Sequence, residues 1–411
     1  MHITLLALGS RGDVQPYAAL GAGLQAAGHQ VRFITFESFA SLVGEHGLDF
    51  HPIRGNAQAL VAKAGANMLA LVRSFGLLAQ GYARDLSAPY LGKTDLIINQ
   101  LPVGLYGFDL AEKYCVPMMM AAVIPLARTQ AFPLMGFPKL VLPAYRRATY
   151  TLGEHIAWLV FRRVINHWRR QTLALAPLPL AGYLHRLGTR QIPILNGFSE
   201  HVVPRPPDWN EHIHVTGYWF AEDTHWQPPA DLQAFLDAGA PPVFIGFGSM
   251  PVNDPRKTTE VVLEALKQTG QRGILHMGWA GLGEQALPDY VFKIDYAPYG
   301  WLFPRMAMAI HHGGSGTTSF GLRSGIPSCV VAFVFDQFFW GERIAELGAG
   351  PQPLRYTQLT VERLREAIRV GVESAAMRRR AREVGEKIRA EQGIENARRV
   401  IEQFVGARPA A

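Results

Sequence analysis

The stretch His311-His312-Gly313-Gly314-Ser315-Gly316-Thr317-Thr318-Ser319 gathers residue types that suit an anion. It follows an apolar run that reads as a strand and opens what reads as a helix. Glycines let the backbone approach a ligand closely, and a helix N-terminus offers free N–H groups and a positive dipole to a phosphate. Imidazole and hydroxyl groups add donors for diphosphate oxygens. A glycine turn that merely caps a helix would account for the glycines but not for two histidines beside them. Downstream, Gly325-Ile326-Pro327-Ser328-Cys329-Val330-Val331-Ala332-Phe333 leads to Asp336-Gln337. An acid and an amide at the exit of a buried strand match the hydroxyls of a sugar, or serve as a helix cap with a surface neighbour.

The first loop, Gly9-Ser10-Arg11-Gly12-Asp13-Val14-Gln15-Pro16, holds the other reactive candidate. Asp13 is placed to act as a general base on a hydroxyl, or to cap the helix expected from about Pro16; the residues alone leave both open. Ser10 and the loop amides, Gly12 included, suit a phosphate from the opposite side, as does Ser249 after Gly246-Phe247-Gly248. The sequence has no Asp-x-Asp, the usual carboxylate pair for a divalent metal on a diphosphate. A leaving diphosphate is then expected to be neutralised by helix dipole, amides, histidine and Arg11. Two Gly-x-Gly-x-x-Ala matches, at 21–26 and 281–286, lack the setting of a dinucleotide fingerprint. There is no Walker loop, nucleophile elbow or zinc-ligand spacing.

The elements that must carry these loops alternate. Strands are expected at 3–8, 31–35, 95–99 and 118–123, with helices between them, and the pattern restarts after a proline-rich passage at 204–229. Further strands follow at 243–248, 272–277, 291–294, 308–311 and 328–333, with a helix at 255–269 and a charged helical tail from about Val361. This order implies an α/β protein of two Rossmann-like halves with parallel sheets and a ligand cleft between them. The length, 411 residues, suits two domains, and 48% hydrophobic residues suffice for two cores. The expected division is 1–205 and 206–389, with a helix at about 390–411 packing back on the first domain.

The N-terminal apolar run lacks the flanks of a signal peptide, and 116–127 is too short and proline-broken to span a bilayer. Cys115 and Cys329 read as small buried residues of a reducing compartment, so a cytoplasmic protein is expected. The net charge of +7 is concentrated in short arginine clusters. No nucleic-acid motif accompanies them, and solvated helix faces account for the run at 378–382. The segment 155–170 mixes aromatic and aliphatic residues with arginine, as core packing does and as a helix resting on a membrane does.

Taken together, these blocks resemble the glycosyltransferases of the two-Rossmann GT-B fold, in the sterol glucosyltransferase and bacterial natural-product branch. The resemblance rests on Gly9 to Pro16, Pro204-Arg205-Pro206-Pro207-Asp208-Trp209, Val215-Thr216-Gly217-Tyr218-Trp219, Gly246 to Met250, Trp301-Leu302-Phe303-Pro304, His311 to Gly325, and Asp336 to Gly341. It implies Asp13 as catalytic base and His312, rather than His311, as the histidine on the donor diphosphate. It implies Gly314, Ser315, Gly316 and Thr317 as the phosphate cradle, Asp336 and Gln337 as readers of the sugar hydroxyls, and Tyr296-Ala297 as the nucleobase platform. The ribose-binding glutamate common in the family is absent, Phe320 standing near its place. The implied reaction is an inverting, metal-independent transfer of a hexose, with glucose expected, from a UDP-sugar to a lipophilic hydroxyl. No resident cofactor is implied. Apolar stretches at 68–71 and 132–137 suit a ring system such as a sterol, terpenoid, macrolide or polyphenol. The rival readings are a nucleotide-sugar epimerase on the same fold and a non-catalytic carrier of a lipophilic ligand.

Overall fold

The computed structural model describes residues 1–55, 85–86, 93–101, 105–180, 192–221, 226–334 and 336–407. The apolar segment 68–71 lies outside them. The chain forms two compact units: 1–200, 204–221 and 392–411 make up the first, and 201–203 with 222–391 the second. Residues 204–221 therefore stay with the first unit.

The first unit is built on a seven-stranded sheet in the order β3-β2-β1-β4-β5-β6-β7, with every pairing parallel. The strands are β1 (His2–Leu6), β2 (Gln30–Phe36), β3 (Asp49–Ile53), β4 (Leu96–Gln100), β5 (Met118–Ala122), β6 (Ile194–Asn196) and β7 (Ile213–Val215). Parallel strands covered on both faces read as continuous apolar runs, as Met118-Met119-Met120-Ala121-Ala122 does. Around the sheet lie α1 (Arg11–Ala26), α2 (Ala40–Glu45), α3 (Leu105–Tyr114) and the long α4 (Pro143–Gln171).

The second unit has a six-stranded parallel sheet, β10-β9-β8-β11-β12-β13. Its strands are β8 (Val243–Gly246), β9 (Gly273–His276), β10 (Val291–Ile294), β11 (Met308–His311), β12 (Ser328–Ala332) and β13 (Leu354–Arg355). Its helices are α5 (Ala230–Asp237), α6 (Pro255–Thr269), α7 (Tyr299–Leu302), α8 (Ser315–Ser324), α9 (Asp336–Glu346), α10 (Val361–Glu373) and α11 (Ala375–Ala390). The last helix, α12 (Gly393–Gly406), returns to the first unit. Its Ala397 and Ile401 join the core formed by β1 and α1, and Asn396 donates to the Thr216 carbonyl at 3.0 Å.

Two expectations need correction. The first helix starts at Arg11, not near Pro16: Ser10 is its N-cap, and Pro16 lies inside it. Pro16 lies past the first turn and forgoes the N–H bond to the Gly12 carbonyl, a loss offset by the burial of Val14, Tyr17 and Leu20 on the same helix. Cys115 is exposed rather than buried, because it ends α3 at φ +54° on the way into β5; Cys329 is buried in β12. In the segment 155–170 Trp158 and Trp168 are buried in the core of the first unit, as its core-packing reading expects. The arginine run on α11 is largely a helix face that caps neighbouring carbonyls. Arg378 donates to Val372 and Arg380 to Leu347, and Arg380 also pairs with Glu383.

Candidate functional site

In each sheet the strand order reverses once, and loops at such a switch point diverge to leave room for a ligand. In the second unit the reversal lies between β8 and β11, where Gly246 stands opposite His311. The turns leaving these two strands meet. The His312 ring sits between Gly248 and Gly314: a Cβ added to Gly248 would lie 2.6 Å from its Cε1, and one on Gly314 2.5 Å from its Nε2. Gly248 takes φ +54°, and its carbonyl is held by the Trp279 N–H at 2.9 Å. Ser249 follows at the same strand end, partly exposed.

Helix α8 begins beside this ring. Its N-cap is Gly314, and no side chain caps it, so the amides of Ser315, Gly316 and Thr317 lack the acceptor a capping residue would supply. Gly313, at φ +89°, packs so close to Gln337 that a Cβ there would lie 3.0 Å from the Gln337 carbonyl. That contact sets the start of α9, with Asp336 in its first turn, beside the start of α8.

Both histidines are buried. Burial first, and then the neighbouring imidazole, lowers His311 to about 3; burial, and then His276, lowers His312 to about 4. Each is therefore neutral near neutral pH, offering one N–H donor rather than a full charge. The Nδ1 of His311 accepts the Gly313 N–H at 3.1 Å and holds the turn. Its Nε2, the Nδ1 of His312 and the Oγ1 of Thr318 are buried without a hydrogen-bond partner among the described residues. Buried polar atoms are ordinarily paired, so these three can take a polar partner that the described residues do not supply.

A pH effect follows. The two imidazoles titrate near the ordinary histidine value of about 6.5 when unfolded and far lower when folded. Their contribution to stability is complete above the unfolded value and is lost as pH falls toward about 4. Melting temperature should fall steadily between about pH 6.5 and about pH 4.5, with up to about two protons taken up on unfolding. A flat profile across that window would contradict buried neutral histidines.

Gln337 is bound through its amide oxygen, which leaves its Nε2 donors without a partner among the described residues. It is buried, and its Oε1 accepts the N–H groups of Phe333 at 2.7 Å and Val334 at 3.1 Å. The oxygen thus shapes the loop in front of Asp336. Tyr296 is 42% exposed and Ala297 buried, just past β10 on the same C-terminal edge of the sheet.

In the first unit the reversal lies between β1 and β4, where the Leu8 N–H donates to Gln100 Oε1 at 2.6 Å. Asp13 stands on the first turn of α1, immediately after β1. Its Oδ2 accepts from the Ser10 N–H at 2.9 Å and the Ser10 hydroxyl at 2.8 Å, while Oδ1 takes no hydrogen bond among the described residues. Gly9, at φ +143°, makes room for it; a Cβ there would lie 2.6 Å from Oδ2. Burial raises the Asp13 carboxyl above the usual carboxylate range, against the lowering effect of the two Ser10 hydrogen bonds. Asp13 thus locks the helix start through one oxygen and presents the other. Arg11 and Gly12 are exposed beside it. One turn on, buried Tyr17 donates to the Ala121 carbonyl at 2.9 Å and fixes α1 against β5. Gln100 and Tyr17 went unread in the sequence, because their partners lie on distant strands.

Known proteins match both halves. Residues 3–133 fit the glycosyltransferase family 28 N-terminal domain, and 260–402 fit the erythromycin biosynthesis protein CIII-like C-terminal domain. A sterol 3-beta-glucosyltransferase of Arabidopsis thaliana is 37% identical over 390 residues, covering 90% of this chain and 62% of its own. One from Aspergillus terreus is 35% identical over 422 residues, covering 98% of this chain and 30% of its own. The chain thus spans less than two thirds of the length of each of these relatives. Among solved structures, the kitacinnamycin glycosyltransferase superposes with a TM-score of 0.76 at 20% identity, over 98% of this chain and 99% of that one. The calicheamicin glycosyltransferase does so at 0.72 and 19%, over 98% of each chain. Two parallel α/β units of this order, matched at both ends, place the chain in the GT-B glycosyltransferases, and in sequence it is similar to the sterol 3-beta-glucosyltransferases.

Proposed function

We propose that the protein transfers glucose from UDP-glucose to the hydroxyl of a sterol-like acceptor, by one in-line displacement that needs no metal. The observation that carries this reading is the uncapped start of α8 with the neutral His312 wedged beside it. Asp13 Oδ1 takes the acceptor proton as the hydroxyl oxygen attacks the anomeric carbon and the bond to the β-phosphate breaks. The departing diphosphate receives the amides of 315–317, the α8 dipole, the Thr317 hydroxyl and an imidazole N–H of His312. Ser10 and Ser249 supply further donors, Asp336 accepts from sugar hydroxyls, and Tyr296 with Ala297 packs the base. Gln337 positions the Asp336 loop. Displacement at one face turns an α-linked donor into a β-glucoside.

The sterol glucosyltransferase relatives support this acceptor and this sugar. The absence of Asp-x-Asp from the sequence supports diphosphate stabilisation by protein groups alone. A sterol-like acceptor resides in a bilayer, so the reading places the protein peripherally at a membrane; no described helix is long and apolar enough to cross one.

A screen of UDP- and TDP-sugars against sterols, terpenoids, macrolides and polyphenols, read by mass spectrometry, tests the assignment. The expected result is a hexosyl adduct that depends on both substrates, with UDP-glucose and a sterol giving the strongest signal. A new nucleotide sugar formed from donor alone would make the protein an epimerase. A chain that binds sterol but no UDP would be a carrier.

A further inference from the structure

Large apolar side chains left exposed cluster in one place. Of the eight most exposed among the described residues, seven lie between positions 140 and 180, and only Tyr296 lies elsewhere. Single exposed leucines are ordinary, but a contiguous apolar patch on one unit marks an interaction surface. The loop leading into α4 carries Leu140, Val141 and Leu142, exposed to 48%, 81% and 65%. On the helix itself Leu152, Ile156 and Leu159 follow at the four-then-three spacing that puts them on one face. The opposite face holds Trp158, Ile165 and Trp168 in the core, so α4 is anchored on one side and apolar outward on the other. The loop is tied to the helix: the Leu134 N–H donates to Thr149 Oγ1 at 2.8 Å, and Leu134 packs over Gly153.

Along this stretch of the chain the charge is almost all of one sign. From 131 to 180 the only acid is Glu154, and it is paired with Arg128. Arg169 is buried against Asp109 and Glu112. Arg147 is exposed beside the loop, and Arg162, Arg163 and Arg170 are exposed on the continuation of the same helix side. An apolar face bounded by cations fits a surface that is apolar at depth and anionic at the rim, as an acidic bilayer is. A second copy of this chain would bring the same excess of positive charge against it.

We propose that residues 140–142 and the outward face of α4 dock on an anionic membrane. Val141 and Leu142 enter the acyl boundary, and the arginines of the helix's second half lie on the headgroups. This assignment does not depend on the transferase reading. It is tested by flotation of the full chain with phosphatidylcholine vesicles, with and without phosphatidylglycerol. The wild type should float with the anionic vesicles only and release as salt rises. Arg162→Gln with Arg163→Gln should weaken partitioning by roughly fivefold per charge removed, and Val141→Asp with Leu142→Asp by at least about tenfold. Melting temperature and UDP affinity, measured alongside, should not move in either variant. Equal binding to neutral vesicles, no binding at all, or unchanged partitioning of Val141→Asp/Leu142→Asp would overturn the proposal. So would a wild-type dimer that this double variant converts to monomer, since the patch would then be a self-association face.

Discussion

Asp13→Asn should lower kcat by about 10²- to 10⁴-fold while leaving UDP affinity unchanged, the range expected when a general base loses its proton-accepting oxygen. The fold should survive, because an asparagine oxygen still accepts the Ser10 N–H that now goes to Asp13 Oδ2. The stability cost is then that of weakening one end of a helix cap, about 1 kcal/mol at most. The pH profile separates the base from a merely structural residue. Burial raises the Asp13 carboxyl above the ordinary carboxylate value. Its charged form is the active one, so kcat/KM should fall as pH drops through that raised value and stay level above it. In the asparagine variant that acid limb should vanish. A variant with full turnover, or one that keeps the limb, would remove Asp13 from the reaction.

Gly314→Ala should weaken UDP binding by about 10- to 100-fold, at a stability cost of about 1–3 kcal/mol for crowding the buried ring. Gly314 sits at φ −60° and ψ 142°, a backbone any residue adopts, so the change carries no conformational strain of its own. The added methyl would lie 2.5 Å from His312 Nε2. The ring has little room to retreat, with Gly248 close against its other side. The imidazole must therefore tilt away from the start of α8, and losing a hydrogen bond to a charged ligand costs about 1.5–3 kcal/mol, roughly 10- to 100-fold in affinity. Titration calorimetry with UDP checks this directly. Unchanged affinity would mean that His312 and the α8 amides do not hold the diphosphate.

Much of this arrangement was legible in the residues, and the reasons are physical. Strands such as 243–246, 308–311 and 118–122 lie inside parallel sheets and show as unbroken apolar runs. The strands that escaped notice are short or marginal. Asp49–Ile53 is an edge strand with a charged start and Pro52 within it, which an edge tolerates and a centre does not. Leu354–Arg355 is two residues long. The start of α1 was hidden because Gly12 and Pro16 read as loop, whereas the Ser10–Asp13 pair outweighs them. Position along the chain gave the glycine turns and their histidines. It could not give the Gly248–His312–Gly314 sandwich, which depends on β8 and β11 being neighbours. Nor could it show that the Gln337 oxygen is taken up by its own loop.

The central claim is a single displacement, stabilised by protein groups alone, and the stereochemistry of one purified product tests it most directly. UDP-glucose and a sterol are incubated with the protein in EDTA, and the anomeric configuration of the glucoside is read by proton NMR. The account predicts a β-glucoside formed at the same rate with and without the chelator. An α-glucoside, or a reaction that stops in EDTA and resumes with magnesium, would contradict it.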